Sequence, residues 1–372
     1  MTDFPISGFV TPGFEAVRDA FEANFAAGEE LGAGFAAWIG NSLVVDLHGG
    51  WSDRSKSRPW DENTLVPVFS TTKPISAAIV ALALDEAGPE TGYETPVGAV
   101  WPEFGRAGKA DVTMAELLSH QAGLPGFPEP IDPELWMDPP ALSEALTELV
   151  PMWSPGVGSG YHPLTWGYLA GALVSRLAGK SLGTLLRERV TQPQDIDFWI
   201  GLPDSEHGRV AEMKRPSAVA ELGAPNAFNR AAFLTKWSAP NRGGADWKRI
   251  EIPSANGHGT AAATARLYCL YAGTLDIGLS TTMHRALTKS RTIGPDRVLP
   301  YEIDFAAGVM RNTQRVYGPN TGSFGHSGWG GSLALGDPDR GLSAAYVMNR
   351  QSNILQGDPR ATRLISALYG CL

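Results

Sequence analysis

Leu65-Val66-Pro67-Val68-Phe69-Ser70-Thr71-Thr72-Lys73-Pro74 is the stretch on which the organisation of the chain turns. A short apolar run leads into Ser70. From Thr72 to Ala87 the pattern becomes helical, with Ile75, Ala78, Ile79, Leu82 and Leu84 recurring at helical spacing. Pro74 lacks an N–H and is tolerated only in the first turn, so Ser70 falls at the very start of the helix. A helix-start serine and a lysine three residues on share one face, one turn apart. A serine hydroxyl is a poor nucleophile until a neighbouring base takes its proton. A lysine can do so if burial lowers its pKa. The same tetrapeptide has a second reading, an N-cap serine with an exposed lysine beside it. Of the eight lysines, Lys73 alone follows a serine at this spacing.

Working outward, Gly34 to Ile39 and Leu43 to His48 flank Gly40-Asn41-Ser42 and read as a β-hairpin. Phe14 to Gly32 reads as a helix, with Gly32 as its stop. The last third is β-rich: Phe305 to Met310, Gly331 to Gly336 and Leu342 to Met348, before a final helix from Asp358 to Tyr369. Between the ends, Val112 to His120, Pro140 to Val150, Trp166 to Ala178 and Leu182 to Val190 are helical candidates among long turns, and another helix follows Gly259 to Ala272. The predicted class is α+β, of the α/β sandwich type. One antiparallel sheet is built from both ends (1–88 and 256–372) and flanked by the terminal helices. A mostly helical insertion (89–255) forms a second lobe, with a cleft between the two.

The 372 residues are 43% hydrophobic, enough to bury a large core, which excludes a disordered chain. Net charge is −9, and no basic run exceeds two residues, so nucleic acid is not an expected partner. Cys269 and Cys371 form neither a disulfide framework nor a metal-ligand spacing. No metal or cofactor is expected. No leader at Met1 to Pro5 and no membrane-length apolar run is visible, so a cytoplasmic protein without a membrane partner is expected.

Two further stretches carry chemistry. Tyr161 follows the Gly-rich turn Gly156-Val157-Gly158-Ser159-Gly160 ahead of an apolar helix, where its phenol could serve as acid or base or be a packed loop aromatic. Phe324-Gly325-His326-Ser327-Gly328-Trp329-Gly330-Gly331-Ser332 has the glycines that let a backbone N–H approach a ligand, or that simply form a β-turn. Gly179-Lys180-Ser181-Leu182-Gly183 matches a nucleophile elbow, but the required strand before it is replaced by a helical pattern. Ser181 therefore reads as a helix N-cap.

In this order and spacing the three elements resemble the serine β-lactamase and penicillin-binding-protein superfamily, most of all class C β-lactamase-like enzymes and family VIII carboxylesterases. Leu117 to Pro125, Tyr161 to Gly167, Pro253 to Gly259 and Tyr346 to Asn349 extend the resemblance over nearly the whole chain. It implies a β-lactamase/transpeptidase-like fold with Ser70 as acylated nucleophile, Lys73 as its activator and Tyr161 as a third proton-handling group. It further implies oxyanion N–H groups at Ser70 and Trp329, and substrate binding by His326, Ser327, Gly328, Trp329 and Asn256. Where β-lactamases carry Y-x-N and K-T-G, this chain has Pro163 in place of the Asn and His326 in place of the Lys. Those departures favour a serine hydrolase of short-chain carboxylic esters (EC 3.1.1). A weak β-lactamase, an amide hydrolase, an acyltransferase and a catalytically silent recognition protein are the alternatives. The expected partner is a small-molecule ester; the oligomeric state stays open. Lys73 and Tyr161 are expected to lower each other's pKa.

Overall fold

The computed structural model describes residues 4–240 and 244–372; residues 1–3, part of the stretch read for a leader, lie outside them. The described strands are β1 (Ile6–Val10), β2 (Gly32–Ile39), β3 (Ser42–Gly50), β4 (Val66–Pro67), β5 (Phe198–Trp199), β6 (His258–Gly259), β7 (Thr292–Pro295), β8 (Glu302–Phe305), β9 (Met310–Arg311), β10 (Phe324–Ser327), β11 (Leu333–Asp337) and β12 (Leu342–Met348). Nine of them form one antiparallel sheet in the order β1-β3-β2-β12-β11-β10-β9-β8-β7. β4, β6 and β5 form a small second sheet. The N-terminal hairpin thus pairs directly with the last strand: Ala36 sits opposite Ala345 and Phe35 opposite Tyr346. Both ends of the chain build one sheet, as the sequence pattern implies.

Alternation along β12 shows why its sequence is apolar but for Ser343, whose buried hydroxyl donates to Ala265 O at 2.8 Å. Leu342, Ala344, Tyr346 and Met348 face one core, and Ala345 and Val347 the other. A strand buried on both faces cannot alternate with polar residues. On the first face, helices Glu15–Ala26 and Pro359–Gly370 bury Val17, Phe21, Phe25, Leu364, Ile365 and Leu368. On the second lie helices Ala261–Tyr268 and Thr72–Glu86, the latter buried from Thr72 to Leu84. Helix Thr165–Ala178 packs on Thr72–Glu86 through the same core, which includes Ile79, Trp166 and Leu173. Among the described residues no helix is long and apolar enough to cross a membrane.

Three sequence expectations need correction. The first helix ends at Ala26, with Gly28 in the left-handed region (φ +70°) and not Gly32 as its stop. Gly32 instead opens β2, where an added Cβ would strike the Trp51 carbonyl. Phe305 to Met310 is not one strand: Gly308 (φ +83°) turns the chain, Ala306 N–H bonds Val309 O, and Phe305 pairs with Met310. Leu182 to Val190 begins as helix Leu182–Leu186 and widens into a π turn over Arg187–Thr191.

Candidate active site

Ser70 lies in the turn Phe69–Thr71 that runs straight into helix Thr72–Glu86. Phe69 is held at φ +49°, an unusual conformation for a bulky residue, and it aims the turn at the cleft. β10 presses on this turn from the side. Gly328 touches it so closely that a Cβ would collide with the Val68 carbonyl and Ser332 Oγ. Ser332 Oγ also donates to Val68 O at 2.8 Å, tying the turn to the end of the β10–β11 hairpin.

Lys73 is fully buried, and its Nζ lies 3.2 Å from Ser70 Oγ. It donates to two backbone carbonyls, Pro163 O at 2.8 Å and Ser254 O at 3.0 Å. Burial pushes its pKa well below the ordinary lysine value. A neutral amine has two N–H groups and one lone pair. With the N–H groups taken by the two carbonyls, the lone pair is left for the Ser70 hydroxyl. The arrangement can therefore accept the Ser70 proton.

The Tyr161 ring stands 4.7 Å from Lys73 Nζ, and the residue is 5% exposed. Asp296 fixes its backbone, accepting from Tyr161 N–H at 2.9 Å and from Ser159 Oγ at 3.0 Å. The expected mutual lowering of pKa fails for the phenol. Burial drives Tyr161 above the usual tyrosine value, and the hydrogen bond with Ser70 only partly opposes it. The reason is that the lysine beside it is itself driven toward the neutral form, so no standing cation stabilises a phenolate.

His326 is buried, and its Nδ1 bonds Ser327 O at 2.7 Å. Burial lowers its pKa to about 3, so it is a neutral imidazole at ordinary pH. Its Nδ1–H tautomer leaves Nε2 as an acceptor without a protein partner among the described residues. Ser70, Tyr161, His326, Ser327, Gly328 and Trp329 all line one small cavity of about 50 Å³. Trp329 stacks on Phe233, with ring centroids 5.8 Å apart.

Asn256 is not part of that lining. Its side chain accepts from Ile252 N–H at 2.8 Å and donates to Trp247 O and Ile250 O at 2.9 and 2.8 Å. It braces the loop whose Ser254 carbonyl holds Lys73. The stretch Pro253 to Gly259 thus reaches the site through a backbone atom two residues earlier.

His120 was missed as a site residue, although it lies in the quoted Leu117 to Pro125 stretch. It sits at φ +66°, fully buried, with its ring 4.8 Å from that of Tyr161 and 4.6 Å from that of Phe305. His162 N–H donates to His120 Nδ1 at 3.0 Å. His162 in turn accepts from Leu124 N–H through Nε2 at 2.9 Å and bonds Gly160 O through Nδ1 at 2.6 Å. Both imidazoles have fixed tautomers, and burial lowers both pKa values, that of His162 to about 3. At the decoy motif, Ser181 Oγ accepts from Thr184 N–H as an N-cap and bonds Glu251, with helix Thr165–Ala178 before it.

The Beta-lactamase family model matches residues 17–369. The chain is 33% identical over 363 residues to "Esterase/beta-lactamase LipL" of Mycobacterium tuberculosis (strain ATCC 25618 / H37Rv), covering 93% of this chain and 83% of that protein. It is similar to a crystal structure of a penicillin-binding protein homologue from Caulobacter crescentus (TM-score 0.95, 50% identity, 99% of this chain and 100% of that one). It is also similar to a family VIII carboxylesterase (TM-score 0.91, 37% identity, 99% and 100%). The fold is that of the esterase/β-lactamase-type serine hydrolases.

Proposed function

The chain belongs to the Beta-lactamase family, and we propose that within it this protein is a serine carboxylesterase working through an acyl-enzyme. The observation that carries this reading is the Lys73 amine. It is buried and spends its two N–H groups on Pro163 O and Ser254 O, 3.2 Å from Ser70 Oγ. Ser70 Oγ attacks the ester carbonyl as its proton passes to Lys73 Nζ. N–H groups of Ser70 and Trp329 hold the developing oxyanion. Tyr161, kept protonated by burial, is a donor: its phenol protonates the leaving alcohol and is restored from the Lys73 ammonium. Water then attacks the acyl-enzyme as the regenerated amine draws its proton, and Ser70 Oγ leaves by taking that proton back from Lys73, restoring hydroxyl and amine. Tyr161 is thus a relay and not the standing base of the second step.

Esters are favoured over β-lactams on two grounds. Pro163 has no side-chain amide to offer, and its carbonyl is taken up by Lys73. His326, with a pKa near 3, supplies no cation for a β-lactam carboxylate. The family VIII carboxylesterase and the esterase/β-lactamase relative support the ester reading.

The test is a hydrolysis screen of p-nitrophenyl esters of graded acyl length beside nitrocefin, with a fluorophosphonate label mapped by mass spectrometry. The expected result is ester turnover well above nitrocefin turnover, with the label on Ser70. Nitrocefin turned over as well as the best ester would overturn the preference. A label on another serine, or an unlabelled but folded protein, would overturn the mechanism.

A further inference from the structure

The cavity at Ser70 is small, but a much larger one opens behind it. A cavity of about 860 Å³ runs beside the nucleophile turn, bounded by Phe69, Met213, Trp247, Trp329 and the segment from Arg215 to Ala220. That volume is in the range of cavities that enclose a whole organic ligand. Trp329 lines both cavities. Phe69 is the residue before the nucleophile. The larger cavity therefore lies next to the nucleophile, within reach of one arm of an ester bonded at Ser70.

The walls have two characters. The floor is aromatic: Trp247 is buried, with its ring 6.5 Å from that of Phe69. The rim is cationic. Arg54, Arg215 and Lys248 line it against a single carboxylate, Glu212. This inverts the balance of the whole chain, in which 39 acidic residues outnumber 30 Lys and Arg. The Arg54 guanidinium donates to the Met213 carbonyl, while Glu212 accepts from the Arg54 backbone N–H at 3.2 Å. Among the described residues none of the three cations is in an ion pair. Partial burial, with the Arg58 charge second, lowers the Lys248 pKa.

We propose that this cavity selects esters whose longer arm is apolar along its length and ends in an anionic group such as a carboxylate. The inference rests on the carboxylesterase reading and deepens it by naming the substrate class. The apolar stem would lie on Phe69 and Trp247, and the terminal anion would reach Arg54, Arg215 and Lys248. Positive potential in a low-dielectric cleft concentrates anionic substrate, an effect of roughly 10-fold or more that added salt weakens.

Two matched substrate pairs test it, one for each side of the ester bond. Mono-p-nitrophenyl suberate is compared with p-nitrophenyl octanoate, and 8-acetoxyoctanoate with octyl acetate. In at least one pair the charged member is expected to show about tenfold higher kcat/KM at low salt. Raising NaCl to roughly 0.5 M should shrink that ratio severalfold. Arg215→Ala and Lys248→Met should each lower the charged-to-neutral ratio, and the double variant should lower it further than either alone, with Arg54 left in place. Because the readout is a ratio on active enzyme, a variant that folds poorly does not distort it. Equal or higher kcat/KM for the neutral member in both pairs overturns the inference and leaves the esterase reading intact. A charged preference untouched by salt and by both substitutions also overturns it. No turnover of any of the four esters by folded protein refutes the carboxylesterase reading itself.

Discussion

Two buried cations in this molecule are treated in opposite ways. Lys73 is fully buried and Arg360 is 5% exposed. Arg360, at the start of the last helix, pairs with Glu30 at 3.1 Å and Asp358 at 2.8 Å. Tyr346 donates to Glu30 from the far side. Burial alone would lower the Arg360 pKa, but Tyr346, Glu30 and Asp358 outweigh it and hold the guanidinium charged. Its remaining N–H groups reach Arg350 O at 2.8 Å and Gly330 O at 3.2 Å, the carbonyl just beyond Trp329. Lys73 has two carbonyls and a hydroxyl for partners, and its pKa falls. The same desolvation gives a fixed strut where carboxylates answer it and a proton acceptor where none does.

The largest expected effect is on catalysis at the unanswered cation. Ser70→Ala should abolish acyl-enzyme formation. Lys73→Met should lower kcat on the best ester by about 10² to 10⁴, the range for a lost proton-transfer group. The same substitution should cost at most about 1–3 kcal/mol of stability, because Pro163 O and Ser254 O lose a donor while a desolvated amine is removed and the volume is kept. Steady-state kinetics and urea unfolding read both quantities. If Lys73→Met unfolds the protein as an unpaired carboxylate would, Lys73 is a charged structural group and the contrast with Arg360 collapses.

Arg360→Met should do the reverse. It leaves Glu30 and Asp358 buried without their cation, a cost of about 3–5 kcal/mol in urea unfolding. Adding Glu30→Gln and Asp358→Asn should recover much of the loss, since the uncompensated charges go with the cation. A single Arg360→Met variant within about 1 kcal/mol of the parent would show that the cluster does not depend on its cation.

The two regions should also respond to pH with opposite sign. His162, His326 and His258 are pushed down to about 3 by burial, against an ordinary value of 6.5. Between those values the unfolded chain binds more protons than the folded one. Their stabilisation is therefore complete above pH 6.5 and drains away as pH falls. Glu30 is raised by burial from 4.5 to about 7. There the folded state holds the extra proton, so stability is fully present below pH 4.5 and is lost as pH rises through 7. Going from pH 7 to 5, each histidine removes and Glu30 returns on the order of 2 kcal/mol. The net is a loss of a few kcal/mol, and Glu30→Gln should steepen it. Unfolding midpoints at several pH values give the slopes; a variant slope no steeper than the parent's would remove Glu30 from the account.

The parts of the fold legible in the sequence were those with a local cause. The hairpin at Gly40-Asn41, the helix after Pro74 and β12 each announce themselves within ten residues or so. β1 and β7 were not read, being short edge strands, largely exposed and with no continuous apolar signal. At the site, Ser70, Lys73 and Tyr161 were legible as residues that meet, and the lining of the small cavity brings Ser70 and Tyr161 to His326 and Trp329. The state of the phenol was not legible, because it depends on how deeply the fold buries both Lys73 and Tyr161. Asn256 misled for a related reason: a polar residue near a site can serve the backbone that reaches it. The larger cavity joins positions from Arg54 to Ser352, a separation that no local pattern records.

The smallest effect belongs to the other serine motif, and it shows what a serine at a helix start does when no amine is buried beside it. Ser181 precedes helix Leu182–Leu186 at φ −67° and ψ 157°, the extended backbone of an N-cap, and its Oγ accepts from Thr184 N–H at 3.2 Å. It also donates to Glu251 Oε1 at 2.6 Å, and the residue is exposed. Glu251 further accepts from Gly183 N–H at 2.8 Å, so the carboxylate secures this helix start by a second route. Ser70 has the reverse surroundings: a buried amine within reach and β10 pressed against its turn. Ser181→Ala should therefore cost about 1 kcal/mol of stability, a cap's worth, reduced to the extent that Glu251 keeps hold of Gly183. Ester hydrolysis should stay within about twofold of the parent, which corresponds to a barrier change under 0.5 kcal/mol. Paired kinetics and urea unfolding of Ser181→Ala and Ser70→Ala separate the roles. Loss of turnover in Ser181→Ala with turnover retained in Ser70→Ala would transfer the nucleophile to the wrong serine and dismantle the lysine argument with it.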